Sequence, residues 1–332
     1  PPPPPPPPSL SLLASGGGGP PPPHPRGIFL ATRKRAMATI YNFGSINTDH
    51  VYRLGHFPSA GETLAATDYA RGLGGKGANQ SVALAKAGAA VRHIGAVGED
   101  GLWMIERMQA AGVDCRHVEQ GDTPSGHAII NVDSEGENTI VLYPGANRTI
   151  SPDHITQALA KAQAGDLLVM QNETAHQANT ARFAQAQGLK LIYSAAPFEA
   201  KAVQEVLPYV WLLLLNAVEA EQLSAALGVT LQDLPVPHVL VTRGADGAIW
   251  YDLEAGAHIA IPAFKVSAVD TTGAGDTFAG YLTAALSEGL PHAAAMRLAS
   301  AASALKVTRA GTADAIPTRA EVDAFLRDQP SE

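Results

Sequence analysis

The sequence contains one cysteine, no long hydrophobic run and few basic residues relative to acidic ones. Cys115 cannot form an intramolecular disulfide, which fits a reducing cytosol and predicts a cytoplasmic protein. No apolar run approaches the roughly 18 residues that span a bilayer, and the longest one, at 210–215, is typical of a buried strand. The net charge of −8 argues against nucleic-acid binding, because phosphate backbones are held by clustered Lys and Arg. We therefore expect neither a nucleic-acid partner nor a membrane partner.

Residues 1–36 differ in composition from the rest of the chain. Thirteen of the first 25 residues are proline, so this segment cannot sustain a helix or a sheet ladder. We predict a disordered extension at 1–36 that precedes a natural start at Met37. A single domain is expected at 37–328, followed by a short tail at 329–332.

From Met37 onward, short β-rich runs alternate with alanine-rich helical stretches. Such alternation predicts a three-layer α/β/α fold, in which helices cover both faces of a mostly parallel sheet. Strands are predicted at 40–44, 167–171, 190–193, 211–215 and 239–242, and helices at 81–87, 155–163, 179–187 and 276–286. Two segments, about 49–71 and 125–143, hold strand-like runs and turns without a helix. We predict that they form a small inserted β-sheet, which would act as a lid over the strand ends.

The most informative segment is DTTGAGD at 270–276. Gly273, Ala274 and Gly275 form a small-residue turn that opens a helix, and free N–H groups at a helix start bind anions such as phosphate. Asp276 would repel a phosphate, so its presence indicates a base that accepts a proton during phosphoryl transfer. The alternative is that Asp276 merely caps the helix.

A second glycine-rich turn, GLGGKGANQ at 72–80, precedes another helix. It has neither the Walker order Gly-x-x-x-x-Gly-Lys-Ser/Thr nor the dinucleotide order Gly-x-Gly-x-x-Gly. Lys76 and Asn79 offer donors to a polyhydroxylated ligand, and glycines such as Gly75 let that ligand lie against the backbone. The alternative is a tight turn that carries a surface lysine.

Acceptor side chains follow two of the apolar strands. Asn47 and Asp49 come after the first strand, and Glu173 comes after the strand at 167–171. Asn47 and Asp49 could hold vicinal hydroxyls, and the carboxylates of Asp49 and Glu173 would bind sugar hydroxyls but not an anionic substrate. Each of them could equally be a turn residue or a helix cap.

Asn216 and Glu219 follow the apolar run at 210–215. Their three-residue spacing puts them on one side of a helix start, where an amide and a carboxylate could hold a hydrated Mg²⁺ that bridges phosphates. The same spacing resembles a helix capping box, which is the alternative.

Together these motifs are similar to those of the ribokinase-like (phosphofructokinase-B) family of carbohydrate kinases. The resemblance extends over roughly 40–328 and is carried by GSINTDH at 44–50, GGKGANQ at 74–80, NAVE at 216–219, TRGADG at 242–247 and DTTGAGDTF at 270–278. It implies a ribokinase-like α/β fold whose β-sheet lid is often shared across a homodimer. It also implies that ATP phosphorylates a primary hydroxyl of a pentose, with D-ribose as the expected sugar.

The resemblance also implies roles for individual residues. Asp276 becomes the base, and the amides of Gly273, Ala274 and Gly275 become the anion hole. The sugar-binding positions are Asn47, Asp49, Gly75, Lys76, Asn79, Glu173 and Asp276. The nucleotide-binding positions are Asn216, Thr242, Gly244, Gly247 and Gly275, with Ser300 near the adenine where Asn or His is common. Glu219, with Asn216, would organise Mg²⁺.

A monovalent cation, usually K⁺, is the last implication of the resemblance. Asp270 and Thr272 match two of its ligand positions. The stretch at 306–311, with Lys306, Arg309 and Gly311, resembles the loop that supplies backbone carbonyls to the ion.

The sequence leaves other functions open. A kinase for deoxyribose, fructose, tagatose, adenosine or pseudouridine is one alternative, although Lys76 favours ribose over nucleosides. A non-catalytic sugar- or nucleotide-binding protein is another, since fold alone does not determine function. The presence of Asp276 argues against it, because a binding protein does not need a base beside the phosphate.

Overall fold

The structure is a computed structural model that describes residues 1–2 and 38–329. The predicted disordered extension at 1–36 and tail at 329–332 therefore lie almost entirely outside the described residues. The strands are β1 (Ile40–Phe43), β2 (Asn47–Arg53), β3 (Asp68–Gly74), β4 (Val91–Gly98), β5 (Asp114–Gly121), β6 (Gly126–Val132), β7 (Asn138–Tyr143), β8 (Leu167–Gln171), β9 (Lys190–Ser194), β10 (Val210–Asn216), β11 (His238–Thr242), β12 (Ala248–Asp252) and β13 (Ala257–Ile261). The helices are α1 (Lys76–Lys86), α2 (Leu102–Ala110), α3 (Pro152–Leu159), α4 (Gln177–Ala186), α5 (Ala200–Val206), α6 (Ala217–Leu227), α7 (Ala274–Ser287), α8 (His292–Val307) and α9 (Arg319–Arg327).

The larger sheet confirms the predicted α/β fold. Its nine strands run in the order β13-β12-β11-β10-β9-β8-β1-β4-β5, and the strands from β11 to β5 pair in parallel. Strand β12 is antiparallel to both of its neighbours, β11 and β13. All five predicted strands are present, because each combines a short apolar run with burial on both faces of the sheet.

Strand β1 shows how the two faces are filled. Ile40 belongs to the core formed with α1, α2, α7 and α8, whereas Tyr41 and Phe43 belong to the core formed with α3, α4, α5 and α6. This alternation follows from the two-residue period of a strand. The buried amide of Asn42 lies on the same face as Ile40 and donates to Gly77 O of α1 at 2.8 Å. Helices therefore cover both faces, as the three-layer prediction requires.

Helix α3 begins earlier than the sequence prediction of 155–163. Ser151 is its N-cap residue and accepts a hydrogen bond from His154 N at 3.1 Å, and Pro152 occupies the first helical position. Serine followed by proline is a common helix start, because proline lacks the N–H group that has no helical partner there. Helix α8 was not predicted, although it carries Ser300 and Lys306.

The order of the strands determines where a ligand can bind. Strand β1 lies between β4 and β8. The strands β4 and β5 are added on one side of β1, and the later strands from β8 to β11 are added on the other side. Open α/β sheets bind ligands beyond the carboxyl ends of the strands at such a reversal. Asn47 follows β1 and Glu173 follows β8, which places both at this edge of the sheet.

The smaller sheet contains four strands in the order β3-β2-β6-β7. Strand β2 is antiparallel to β3 and parallel to β6, and β7 completes the sheet as an antiparallel edge strand. These strands come from the two segments that the sequence analysis singled out. None of the helices within residues 38–329 has both the length and the apolar character needed to cross a membrane.

Candidate active site

Asp276 lies in the first turn of α7, directly after the predicted anion-binding turn. Gly273 is the N-cap residue, with a left-handed φ of 74° that favours glycine. The Asp276 carboxylate is held by the facing helix α1: Asn79 Nδ2 donates to Oδ2 and Gln80 Nε2 donates to Oδ1, each at 3.0 Å. Burial raises the pKa of the Asp276 carboxyl, and the charge of Lys76 opposes that rise. A fixed carboxylate with a raised pKa is suited to accept a proton.

The predicted anion-hole residues line the same pocket as Asp276. Gly273, Ala274 and Gly275 all border it. The Ala274 amide donates to Thr271 O at 3.1 Å and so closes the turn that presents its neighbours. The helix dipole adds partial positive charge at this end of α7, which favours a phosphate.

Three of the predicted sugar-binding side chains form a charged cluster beside this pocket. The Lys76 ammonium lies 3.6 Å from Glu173 Oε1, and Lys76 N donates to Glu173 Oε2 at 3.2 Å. Burial alone would lower the pKa of the Lys76 ammonium, but Glu173 and Asp276 hold it above its usual value. Burial, reinforced by the charge of Glu173, raises the pKa of Asp49 to about 7. The lysine is paired with Glu173 and feels the charge of Asp276, so it is not a free surface residue.

Asn47 is buried at the start of β2, and a residue that the sequence analysis missed holds it. Asn147 Nδ2 donates to Asn47 Oδ1 at 2.7 Å, and Asn147 Oδ1 accepts from Ile46 N at 2.8 Å. Gly75 adopts a φ of 87° and is the N-cap residue of α1, so glycine is favoured there by backbone geometry. No signal in the sequence links Asn147 to Asn47, because the two residues are 100 positions apart.

Asn216, Glu219 and Thr242 line the same pocket as Lys76 and Asp276. Asn216 and Glu219 also form the capping box at the start of α6: Asn216 Oδ1 accepts from Glu219 N at 2.8 Å, and Glu219 Oε2 accepts from Asn216 N at 2.9 Å. The capping alternative is therefore real. It uses Oε2 of the Glu219 carboxylate, and Oε1 takes no part in the capping box.

The predicted potassium-site residues come together at the ends of α7 and α8. Asp270 Oδ1 accepts from Thr272 N, and Asp270 Oδ2 accepts from Gly311 N, both at 2.9 Å. The side chain of Lys306 is fully buried, and its ammonium donates to Asp270 O at 2.9 Å. The Arg309 guanidinium points elsewhere, to Glu321 Oε1 at 2.8 Å. Burial lowers the pKa of the Lys306 ammonium, and the charges of Asp270 and Asp276 oppose that shift.

The chain is similar to known proteins over most of its length. The family described as pfkB family carbohydrate kinase matches residues 37–319. The chain belongs to the pfkB family of carbohydrate kinases. Among its relatives is the ribokinase of Haemophilus influenzae, which is 35% identical over 303 residues, covering 87% of this chain and 98% of the relative.

Solved structures of pfkB-type kinases have the same fold. The ribokinase of Thermotoga maritima has a TM-score of 0.79 and 33% sequence identity, covering 88% of this chain and 100% of that one. The ribokinase of Arabidopsis thaliana, solved in complex with ribose and ATP, has a TM-score of 0.78 and 28% identity, covering 88% of this chain and 99% of that one.

Within this pfkB kinase, three predicted nucleotide-binding residues lie apart from the pocket. Gly244, Gly247 and Ser300 do not border it among the described residues. Gly247 has a structural reason to be glycine, since a Cβ there would lie 2.0 Å from Ile261 O and its φ is 88°. Ser300 is buried within α8.

Gln80, the last residue of the GLGGKGANQ run, is the main site residue that had no predicted role. Besides holding Asp276, it accepts at Oε1 from Gln171 Nε2 at 2.8 Å, and Gln171 Nε2 also donates to Asn42 Oδ1 at 2.9 Å. Gln80 is four residues after Lys76, so both lie on one face of α1. The spacing of four residues from Lys76 is the sequence signal that could have identified Gln80 as a site residue.

Proposed function

We propose that this pfkB kinase phosphorylates O5 of D-ribose with ATP, forming ribose 5-phosphate and ADP. The observation that carries the proposal is one pocket that is lined by Asp276, by Lys76 of the sugar-type cluster, and by Asn216 and Thr242 of the predicted nucleotide site. The ribokinase relatives, one of them named as a complex with ribose and ATP, support the same substrates.

The proposed step transfers one phosphoryl group. The O5 oxygen forms a bond to the γ-phosphorus as the bond from that phosphorus to the bridging oxygen of ADP breaks, and the O5 proton moves to an Asp276 oxygen. Asn79 and Gln80 position the carboxylate for this proton transfer. Gly273 and Gly275 present the turn that would stabilise charge on the transferred group.

We propose a Mg²⁺ ion near Glu219 and Asn216. Carboxylate and amide oxygens suit Mg²⁺, and Glu219 Oε1 is not engaged in the capping box. When bound, Mg²⁺ would neutralise charge on the nucleotide phosphates. The predicted K⁺ ion is not part of this proposal, because Lys306 already places a cation at Asp270.

The smaller sheet supports two further proposals, a lid and a homodimer formed through it. Strand β7 exposes Ile140, Val141, Leu142 and Tyr143, with exposed fractions of 44 to 64%. A row of exposed apolar side chains on an edge strand is typical of a pairing surface. A lid would exclude water, which competes for the phosphoryl group. We also propose a cytoplasmic location, which the single cysteine of the sequence fits.

A substrate screen tests the proposed function. ATP consumption is measured with ribose, deoxyribose, fructose, tagatose, adenosine and pseudouridine, with and without Mg²⁺. We expect the highest kcat/KM with ribose, no turnover without Mg²⁺, and a 5-phosphate product by ³¹P NMR. Turnover of another substrate without any activity on a pentose would contradict the ribose assignment and leave the family membership intact.

Asp49 is expected to make sugar binding depend on pH near neutrality. Its pKa is raised to about 7, so the carboxylate that accepts a sugar hydroxyl is lost as the pH falls through about 7. The KM for ribose should therefore rise on acidification while kcat changes less. The Asp49→Asn variant should lack this step, and an identical KM profile in the variant and the wild type would contradict the assignment.

The same shift has the opposite sign for stability. Because the folded pKa of Asp49 lies above its unfolded value of 3.8, the native state binds the proton more tightly. The contribution of Asp49 to the free energy of unfolding is full below the unfolded pKa and is lost as the pH rises through about 7. Urea denaturation of wild type and Asp49→Asn across this range measures it.

A further inference from the structure

Lys306 is a buried cation without a role in the proposed step. Its side chain is fully buried in the last turn of α8, where a charged group is costly unless it is paired. The Nζ atom donates to the main-chain oxygen of Asp270 at 2.9 Å and lies 3.9 Å from Asp270 Oδ1. The ammonium therefore has both a carbonyl and a carboxylate oxygen as partners.

These oxygens belong to the residue that the resemblance assigned first to a potassium ion. The other groups around Asp270 are also occupied: Thr272 N and Gly311 N donate to its two carboxylate oxygens. Val307 O accepts from both Val269 N at 2.7 Å and Asp270 N at 3.1 Å. A second cation here would share its ligands with the ammonium and would be repelled by it. The residues present do not fit a potassium ion.

The buried ammonium is linked to the anion-binding turn in two ways. Asp270 begins the DTTGAGD run that leads directly to Gly273. On α8, Ser303, three residues before Lys306, donates to Ala274 O at 3.1 Å. A charge fixed at Asp270 therefore acts on the helix start where the transferred phosphoryl group would carry negative charge.

We propose that the Lys306 ammonium is a tethered cation that replaces the monovalent ion beside the anion hole, and that the kinase consequently works without K⁺. The ammonium is held by the chain, so its site is filled at any salt composition. It orients the Asp270 carbonyl and stabilises the turn at 270–275 by charge. This inference rests on the proposed kinase function, and its tests include a readout that does not need turnover.

The first test measures wild-type ribose phosphorylation with K⁺, Na⁺ or tetramethylammonium as the monovalent cation at constant ionic strength. We expect kcat and KM to agree within about twofold across the series. A rise of an order of magnitude with K⁺ alone would overturn the inference. Absence of turnover in every salt would contradict the proposed function instead. In that case the melting temperature of the wild type tests the tethered cation without turnover. K⁺ should raise the melting temperature no more than Na⁺ does, and a larger rise with K⁺ would overturn the inference.

Two substitutions at Lys306 separate charge from packing. Lys306→Met keeps the length of the side chain and removes the charge, and it should lower kcat about 100-fold without rescue by K⁺. Lys306→Ala leaves space, so K⁺ or NH₄⁺ should restore part of kcat and raise the melting temperature more than Na⁺ does. Lys201→Ala, at an exposed lysine of α5, controls for loss of a positive charge. Wild-type turnover in Lys306→Met would overturn the proposal, and the wild-type salt series decides if neither variant folds.

Discussion

Replacing Asp276 with Asn is expected to lower kcat by about 10²–10⁴-fold while ATP binding stays close to that of the wild type. The amide keeps the shape of the side chain and cannot accept the sugar proton. Its NH₂ group would also face one of the two donors, Asn79 Nδ2 or Gln80 Nε2, so one hydrogen bond is lost. Single-turnover kinetics measures the chemical step, and calorimetric titration with a non-hydrolysable ATP analogue measures binding.

The control for this substitution is Asp153→Asn. Asp153 is an exposed acid in the first turn of α3, so it shares the helix-start position of Asp276 without bordering the pocket. We expect unchanged turnover in that variant. If Asp276→Asn retained near-normal turnover with ribose, the assignment of Asp276 as the base would be wrong, and its carboxylate would have only a structural role between α1 and α7.

Replacing Gly77 with Ala is expected to lower the free energy of unfolding by about 3 kcal/mol. A Cβ at this position would lie 2.4 Å from both Gly44 C and Ser45 N, so it would meet main-chain atoms that cannot move aside as a side chain can. The turn after β1 and the start of α1 would have to separate. Because these segments carry Asn47 and Lys76, the KM for ribose should rise as well.

A substitution five residues earlier is the matched control for Gly77→Ala. Gly72 lies in β3, has no left-handed φ, and would place a Cβ in open space. Gly72→Ala should therefore change the urea midpoint little. Equal midpoints for the two variants would show that the chain accommodates the clash and that Gly77 is not required for this packing.

The family and the main elements of the fold could be predicted from the sequence because their signals are local. Apolar runs such as 211–215 and 167–171 are short and bounded by polar residues, which is typical of strands buried on both faces. The run at 270–276 combines small residues, a helix start and an acid within seven positions. The errors in the helix predictions have local causes as well. Helix α8 was not predicted and has no side-chain N-cap to mark its start, and the start of α3 was placed four residues after its N-cap serine.

The candidate site was only partly predictable, because its contacts join distant parts of the chain. Gln80 and Asp276 are 196 positions apart, and their hydrogen bond exists because α1 packs against α7. Asn147 reaches Asn47 for the same kind of reason: it lies in the helical turn Gly145–Arg148, beside Gly126 of β6, which pairs with Asn47 of β2. Strand order and helix packing set these distances, and neither is encoded in a short sequence window.

The sequence by itself determined the fold class, the kinase family and the residue types available for chemistry, since each depends on composition, periodicity or the spacing of neighbours. Only the tertiary structure decided what those residues contact. It showed that Asp276 is held by Asn79 and Gln80, that Asn216 and Glu219 do form a capping box, and that Lys306 directs its ammonium at Asp270. The physical reason is that a buried charge must find its partner in space, and folding brings that partner from anywhere in the chain.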